Sequence, residues 1–206
     1  RAIANKAISF GYPEARIHLF PWGVDLEHFH PQGENSIRQK LGWQNKFVFL
    51  CNRSMEPKYG VDVVVRAFLQ AVQTNPDLRL MLFGKGSQEG QLKQMIQEAG
   101  QTDRVYFGGF VTLADLPITY RSADVFITAS HCDGSSVSLM EALACGRPVI
   151  ASDIPANLEW VTAGQNGWTF HDGRVDELAL RILAAASSTD LPQVSASART
   201  LAEQKA

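Results

Sequence analysis

Residues 124–152, "DVFITASHCDGSSVSLMEALACGRPVIAS", contain the arrangement that decides the fold. A short apolar run, "DVFITAS" (124–130), precedes a small polar turn, a helical stretch and a second apolar run, "RPVIAS" (147–152). Short runs that are almost continuously apolar, rather than alternating, are typical of strands covered on both faces. The stretch therefore predicts two parallel strands joined by a helix.

The same succession of strand-like and helix-like segments continues on both sides of this stretch. Four further apolar runs predict strands: "KFVFLC" (46–51), "LRLMLFG" (78–84), "RVYFGG" (104–109) and "GWTF" (167–170). Apolar residues recur at helical intervals in four segments: 60–75, 87–100, 113–123 and 174–188. Strand followed by helix, repeated along the chain, predicts an α/β fold with a Rossmann-like, doubly wound parallel sheet. Residues 191–206 are polar and alanine-rich, and we predict a polar tail that is at most weakly helical.

Composition limits the classes of function. With 206 residues, of which 45% are hydrophobic, the chain can bury one sizeable core. The net charge of -2 gives no electrostatic reason to expect nucleic acid or an anionic membrane as a partner. No apolar run approaches the ~20 residues that span a bilayer, and no signal-peptide pattern occurs, so we expect a cytoplasmic protein. Three scattered cysteines are too few for a disulfide framework or a zinc site, and we expect packing roles for them.

In open α/β sheets ligands bind beyond the carboxyl ends of the strands, so the turns after the strands are the candidate sites. After the first strand, "LCNRSMEPKYG" places Arg53 and Lys58 on a loop that leads into a helix near Gly60. Two cations beside a helix N-terminus form an anion site. The alternative is that both are solvated surface charges.

After the second strand, "FGKGSQEG" carries Gly84 and Gly86 and resembles a glycine-rich phosphate loop. Glu89 stands where the dinucleotide-binding fingerprint has its third glycine. An ordinary turn with Ser87 as a helix N-cap explains the pattern about as well.

The turn after "DVFITAS" has two interpretations. Gly134 and the adjacent serines would let backbone amides face a phosphate at the mouth of a helix, where the helix dipole favours negative charge. Alternatively, Ser138 and Glu141 form a capping box in which Glu141 only satisfies a backbone donor. In that case Gly146 would be a C-terminal cap and Pro148 a helix stop.

A resemblance covering nearly the whole chain favours the first interpretation. Arg53 with Lys58, the "GKG" turn, "VYFGGFV" (105–111), "LPITYRSADVFITAS" (116–130) and "DGSSVSLMEALACGRPVIASDIPANLEWV" (133–161) follow in the order and spacing typical of one family. The chain resembles the C-terminal, nucleotide-sugar-binding half of retaining GT-B glycosyltransferases of family 4. "HLFPWGVDLEHFHP" (18–31) is similar to the segment that crosses between the two domains of such enzymes.

The resemblance implies a domain organisation and partners. Residues 1–30 would be the interdomain crossover, 31–190 the nucleotide-sugar-binding domain and 191–206 the tail. A missing N-terminal domain would hold most of the acceptor, which would be a glycan, a lipid-linked sugar or a small molecule. The full-length protein would be cytoplasmic or peripheral at a membrane. We expect the isolated half to bind the donor without turning it over.

The resemblance also implies roles for single residues. Arg53 and Lys58 would grip the diphosphate, and Glu141 would accept hydrogen bonds from the ribose. Asp133, where most members have Glu, would lie near the transferred sugar. The remaining donor-binding residues would be the glycines of the "GKG" turn, two residues that meet the base and four that line the sugar-phosphate: Gly84, Gly86, Phe110, Val111, Gly134, Ser135, Ser136 and Val137. For Phe110 and Val111, plain core packing is the alternative.

The expected reaction needs no covalent nucleophile, because stabilising a departing diphosphate is its main task. The sequence has no Asp-x-Asp pair and no clustered His or Cys, so we expect neither a metal nor another cofactor. Retention of anomeric configuration follows from the resemblance alone. Two other functions stay open: a sugar-nucleotide epimerase of the same architecture, and a non-catalytic nucleotide-binding module.

Overall fold

The computed structural model describes residues 2–18 and 23–205. Within them, six strands form one parallel sheet: β1 Phe47–Asn52, β2 Leu78–Phe83, β3 Val105–Gly109, β4 Val125–Thr128, β5 Val149–Ser152 and β6 Gly167–Phe170. The spatial order is β3-β2-β1-β4-β5-β6, and every pairing is parallel. This is the order of a doubly wound Rossmann-type sheet, which confirms the predicted fold class.

Helices cover both faces of the sheet. The helices are α1 Ala2–Ser9, α2 Ser36–Lys40, α3 Val61–Thr74, α4 Glu89–Glu98, α5 Leu116–Arg121, α6 Val137–Ala144, α7 Pro155–Leu158, α8 Val175–Ala186 and α9 Leu191–Lys205. Strand residues alternate between two apolar clusters because neighbouring side chains of a strand point to opposite faces. Along β1, Phe49 and Cys51 pack with residues of α3, α4 and α8, whereas Val48 and Leu50 pack with residues of α5, α6 and α9. Both faces are therefore buried, as the continuous apolar runs indicate.

The predicted weakly helical tail is wrong. Residues Leu191–Lys205 form α9, a regular helix of 15 residues that packs on α6. Its buried side chains, Val194, Ala198 and Ala202, recur every four residues and so lie on one face. The domain limits at 30 and 190 stay a prediction, and residues 1 and 19–22 of the expected crossover segment lie outside the described residues.

Candidate functional site

The loops after β1 and β4 meet at one place above the sheet. The two strands are neighbours, but the chain leaves them in opposite directions along the sheet, towards β2 and towards β5. A parallel sheet has its crevice at such a switch of direction, and ligands bind there. Arg53 follows β1, and residues 129–136 lead from β4 into α6. The sequence-predicted anion-binding residues therefore lie on the two loops that flank the switch.

Arg53 is bound by side chains from the β4–α6 segment. Its Nη2 donates to Asp133 Oδ2 at 2.5 Å and to Ser130 Oγ at 3.3 Å. Its Nη1 donates to Ser138 Oγ at 3.0 Å and to Ser136 Oγ at 3.2 Å. The Arg53 side chain is only 10% exposed. The solvated-charge alternative is thus wrong for Arg53, because the guanidinium is held by a carboxylate and three hydroxyls.

Lys58 has a different environment from Arg53. It is exposed, and its Nζ lies 4.6 Å from the centroid of the Tyr59 ring. The Arg53 guanidinium carbon lies 4.3 Å from the same centroid, so one aromatic ring contacts both cations. The Lys58 carbonyl accepts a hydrogen bond from the His131 amide at 2.9 Å, which ties the two loops together. Lys58 therefore presents a solvated positive charge beside a guanidinium that is already engaged.

The capping-box alternative is wrong. Ser136, not Ser138, is the N-cap residue, and α6 begins at Val137. The cap makes no side-chain hydrogen bond, and Glu141 accepts a hydrogen bond from the Tyr120 hydroxyl rather than from a backbone amide. The other end of the helix follows the expectation, since Gly146 adopts a left-handed conformation (φ 65°) directly after the C-cap.

The amides expected to face the sugar-phosphate differ in their bonding. The Gly134 amide donates to the Asp133 carboxylate at 2.9 Å, so it is engaged in this structure. Ser136 is buried and its hydroxyl contacts Arg53, while Ser135 is half-buried and Val137 is exposed at the first turn of α6. First-turn amides of a helix have no intrahelical acceptor. The Leu139 amide already donates to the Ser136 carbonyl, so the first two amides of α6, those of Val137 and Ser138, are the ones that lie beside the Arg53–Asp133 pair without an intrahelical acceptor.

Glu141 is a buried carboxylate on α6, 8% exposed, whose Oε2 lies 2.6 Å from the donating Tyr120 hydroxyl. Burial raises the pKa of Glu141, and the Tyr120 hydrogen bond and the charge of His28 oppose that rise in part. The pKa of Tyr120 is likewise raised well above its usual value, first by its burial and then by the negative Glu141. A buried carboxylate with a neutral protein donor favours further hydrogen-bond donors.

The two glycines of the "GKG" turn fit a packing role. A Cβ at Gly84 would lie 2.4 Å from the Arg53 carbonyl oxygen, and Gly84 has φ 111°, a conformation that other residues rarely adopt. A Cβ at Gly86 would lie 2.4 Å from the Met55 carbonyl oxygen. Both glycines let the β2 loop support the backbone of the loop that carries Arg53. The Ser87 N-cap is wrong, because Ser87 bonds to the Glu56 carboxylate and Gln88 precedes α4.

The two residues expected at the base behave differently. Phe110, directly after β3, is 78% exposed, so core packing does not explain it. Val111 is half-buried and packs against the apolar cluster on the α5–α6 side of the sheet, which agrees with the packing alternative. Contact of either residue with a base stays a prediction.

Sequence reasoning missed three side chains that complete the site. Ser130, at the end of the β4 run, and Tyr59, between Lys58 and Gly60, both contact Arg53. Tyr120 contacts Glu141. The position of Ser130 after a strand was a usable signal, whereas no local pattern in "LPITYRSA" indicates that Tyr120 meets a residue of α6.

The described residues contain neither a cluster of metal-ligating side chains nor a membrane-spanning helix. Nowhere in 2–18 and 23–205 do three or more His, Cys, Asp or Glu side chains cluster so as to hold a metal ion. In the same residues no helix is long and apolar enough to cross a membrane. Cys51 and Cys145 are buried, and burial raises the pKa of each thiol to about 12. Cys132 is exposed, so the expected packing role is wrong for it.

Two glycosyltransferase-related proteins are similar in sequence to this chain. Mannosylfructose-phosphate synthase of Agrobacterium fabrum is 32% identical over 154 residues, which cover 69% of this chain and 34% of that protein. The GDP-mannose-dependent monoacylated alpha-(1-6)-phosphatidylinositol monomannoside mannosyltransferase of Corynebacterium glutamicum is 30% identical over 182 residues, which cover 83% of this chain and 47% of that protein. The chain thus spans less than half the length of these two relatives.

A solved structure shares the fold. Anabaena Alr3699/HepE in complex with UDP-glucose superimposes with a TM-score of 0.89 and 26% identity, over 99% of this chain and 57% of that one. This likeness confirms the expected Rossmann-like half of a GT-B glycosyltransferase. The model of the family described as "Glycosyl transferases group 1" matches residues 33–199, from the segment before α2 well into α9. The chain therefore belongs to the family of group 1 glycosyl transferases.

Proposed function

We propose that this chain is the donor-binding half of a retaining glycosyltransferase that transfers a sugar from a nucleotide-diphosphate sugar to an acceptor. One observation carries the proposal: a mostly buried arginine lies between two loops at the switch point of the sheet, at the mouth of α6, in a group 1 chain. The complex of Alr3699/HepE with UDP-glucose supports the class of donor.

The proposed role of Arg53 and Lys58 is to stabilise the leaving group. Breaking the anomeric C–O bond leaves negative charge on the diphosphate, and preorganised positive groups stabilise it most when water is excluded. Arg53 is preorganised by Ser136 and Ser138, and Lys58 adds a second cation next to it. The first-turn amides lie at the N-terminus of α6, which is the positive end of the helix dipole.

Donor binding in this proposal is an exchange of anions on Arg53. Without a ligand the guanidinium bonds to Asp133. A phosphate oxygen offers the same charge-assisted geometry as the Asp133 carboxylate and replaces it. The released Asp133 then turns towards the hydroxyls of the transferred sugar, while Glu141 accepts the ribose hydroxyls from inside α6. Phe110 is the proposed apolar surface for the base, because it is exposed beyond β3.

Calorimetry of the 206-residue chain with UDP, GDP, ADP and their sugars tests donor binding. We expect one base to bind with a Kd of ~10 μM to 1 mM, with and without EDTA, since cations and helix amides neutralise the diphosphate. Absence of binding by every nucleotide contradicts the proposal. A strict requirement for magnesium or manganese contradicts the metal-independent form.

The acceptor is proposed to lie mainly outside these residues, because the chain spans about half the length of its relatives. Effective catalysis requires the reacting groups to be held together in a closed cleft. We therefore expect the chain alone to hydrolyse its donor slowly at most, and robust transfer by the chain alone would contradict this. In the full-length enzyme, NMR of the product tests retention, and donor epimerisation without an acceptor would favour the epimerase.

A further inference from the structure

The Glu141 carboxylate receives a hydrogen bond from Tyr120, which no motif singled out. The Tyr120 hydroxyl lies 2.6 Å from Glu141 Oε2, and the Tyr120 residue is 0% exposed. Because Tyr120 is fully covered, a ligand in the crevice cannot contact it. Any effect of Tyr120 on binding therefore acts through Glu141.

The contact of a third residue agrees with this direction of the hydrogen bond. Asn52 Nδ2, at the end of β1, lies 3.4 Å from the Tyr120 hydroxyl oxygen and is positioned as its donor. With Asn52 donating to the phenol oxygen, the phenol proton is directed to Glu141. The Tyr120 ring is held between aromatic neighbours, with centroids 6.1 Å from Phe29 and 5.8 Å from Phe126.

The contact also acts on the charge of Glu141. Burial raises the pKa of this carboxyl, and the Tyr120 hydrogen bond lowers it again because the hydroxyl donates to the ionised form. An ionised carboxylate accepts ligand hydroxyls more strongly than a protonated one. Tyr120 therefore favours both the orientation and the charge state that hydrogen bonding to a diol requires.

We propose that Tyr120 is a positioning residue for ribose recognition: it holds Glu141 Oε2 so that Oε1 faces the ribose hydroxyls of the donor. The proposal rests on the proposed function, in which Glu141 binds the ribose. It adds a residue that lies on another helix, α5, and a relay that runs from Asn52 through Tyr120 to Glu141.

The test measures nucleotide affinity in a thermodynamic cycle that combines one substitution in the protein with one change in the ligand. UDP and 2′,3′-dideoxy-UDP are titrated into the wild-type chain and into Tyr120→Phe, with GDP and its dideoxy analogue in parallel for a guanine-specific site. In Tyr120→Phe we expect the ribonucleotide to bind about tenfold more weakly and the dideoxy analogue to change less than about twofold. Thr119→Val is the matched control, because Thr119 is equally buried on α5 but bonds to the Asp115 carbonyl.

A second readout is the pH dependence of ribonucleotide binding. Without the Tyr120 hydroxyl the pKa of Glu141 rises further, so the pH below which binding weakens moves upward in Tyr120→Phe. An equal loss for both nucleotides with an unchanged pH midpoint shows a packing role and overturns the inference. A wild-type chain that does not distinguish the two nucleotides instead overturns the ribose role of Glu141, hence that part of the proposed function.

Asn52→Ala keeps the inference testable if Tyr120→Phe does not fold. This change leaves the Tyr120 ring and its hydroxyl in place but removes the donor that directs the phenol proton. We expect a smaller loss with the same preference, roughly threefold for the ribonucleotide and none for the dideoxy analogue. Equal losses for both would overturn the relay.

Discussion

The two acids expected at the donor, Asp133 and Glu141, lie on one continuous segment but in opposite surroundings. Asp133 is on the loop before α6, and its partner is a cation, Arg53, at 2.5 Å. Glu141 is inside α6, and its partner is a neutral hydroxyl, at 2.6 Å. A carboxylate bound to a cation can be displaced by a stronger anion, whereas a buried carboxylate with a neutral donor can accept further donors. The segment therefore carries one carboxylate whose partner can be exchanged and one that can accept further hydrogen bonds.

Removal of Arg53, the cation that binds Asp133, should have the largest effect on nucleotide binding. Arg53→Ala should weaken binding of the preferred nucleoside diphosphate by about 2 kcal/mol, which is the strength of one charge-assisted hydrogen bond. The melting temperature should also fall, because Asp133 loses its partner while 16% exposed. Calorimetry measures both quantities. Unchanged affinity would remove Arg53 from the diphosphate site.

The stability loss has a matched control in the same pair. In an Asp133→Asn background no carboxylate is left unpaired, so Arg53→Ala should lower the melting temperature less than it does in the wild type. Equal losses in both backgrounds would show that the serine hydroxyls, and not Asp133, determine the stability of the Arg53 conformation.

Neutralising the buried acid should separate affinity from stability. Glu141→Gln should weaken ribonucleotide binding by about 1.5 kcal/mol, because a neutral amide replaces a charged acceptor. Its effect on folding has the opposite sign. The folded-state pKa of Glu141 is raised above the ordinary 4.5, so the native chain binds the proton more tightly than the unfolded chain. Native stability therefore decreases as pH rises from about 4.5 through the folded pKa.

Glu141→Gln lacks this decrease, so its melting temperature should exceed that of the wild type at pH 7 and approach it below pH ~4.5. Calorimetric melts across this pH range measure the difference. Glu98→Gln, at an exposed residue of α4, is the control for replacing one carboxyl group by an amide. A lower melting temperature with unchanged binding would instead indicate a structural role for Glu141.

Neutralising the loop acid should sharpen the comparison by strengthening one interaction. Asp133→Asn removes the anion that competes for Arg53, so nucleoside diphosphates should bind about 0.5–1 kcal/mol more tightly. The gain should be smaller for the nucleotide sugar, because the sugar would lose the contact with Asp133 that we propose. Titration of both ligands decides, and weaker diphosphate binding by Asp133→Asn is the outcome that excludes anion exchange.

The smallest effect is expected at Ser138. Its hydroxyl lies within α6 and bonds to Arg53 rather than capping the helix, so Ser138→Ala should change the free energy of unfolding by less than ~0.5 kcal/mol. A loss near ~1 kcal/mol would show that the hydrogen bond from Arg53 to Ser138 stabilises the fold and that the bond to Ser136 does not compensate for it. Chemical denaturation measures this difference directly.

The fold was predictable because its signals are local. Each strand of the parallel sheet is a short run that is apolar on both faces, and this property is visible without knowing its neighbours. The α9 helix lacked such a signal, since alanines form most of its buried face and its stability depends on packing against α6. A polar, alanine-rich segment looks the same whether it is solvated or packed.

The sequence predicted which residues form the site, but not which side chains they contact. Arg53 was found because it follows a strand at the carboxyl edge of the sheet. Glu141 was found through the family resemblance of residues 133–161. Their partners were not, because Arg53 meets Asp133 across 80 residues and Tyr120 meets Glu141 across 21. The capping box failed for a local reason: α6 begins at Val137, so Ser138 is already inside the helix.

The packing of α9 limits how this half can be recombined with others. Arg199 Nη1 donates to the Ala144 carbonyl at the end of α6 and to the Phe29 carbonyl of the entry segment. One side chain therefore joins the end of α6 to Phe29, which lies 170 positions before Arg199 in the chain. Chimeras made within this family should carry residues 23–205 as one unit, because a junction at 190 would leave the Ala144 carbonyl of α6 without this donor.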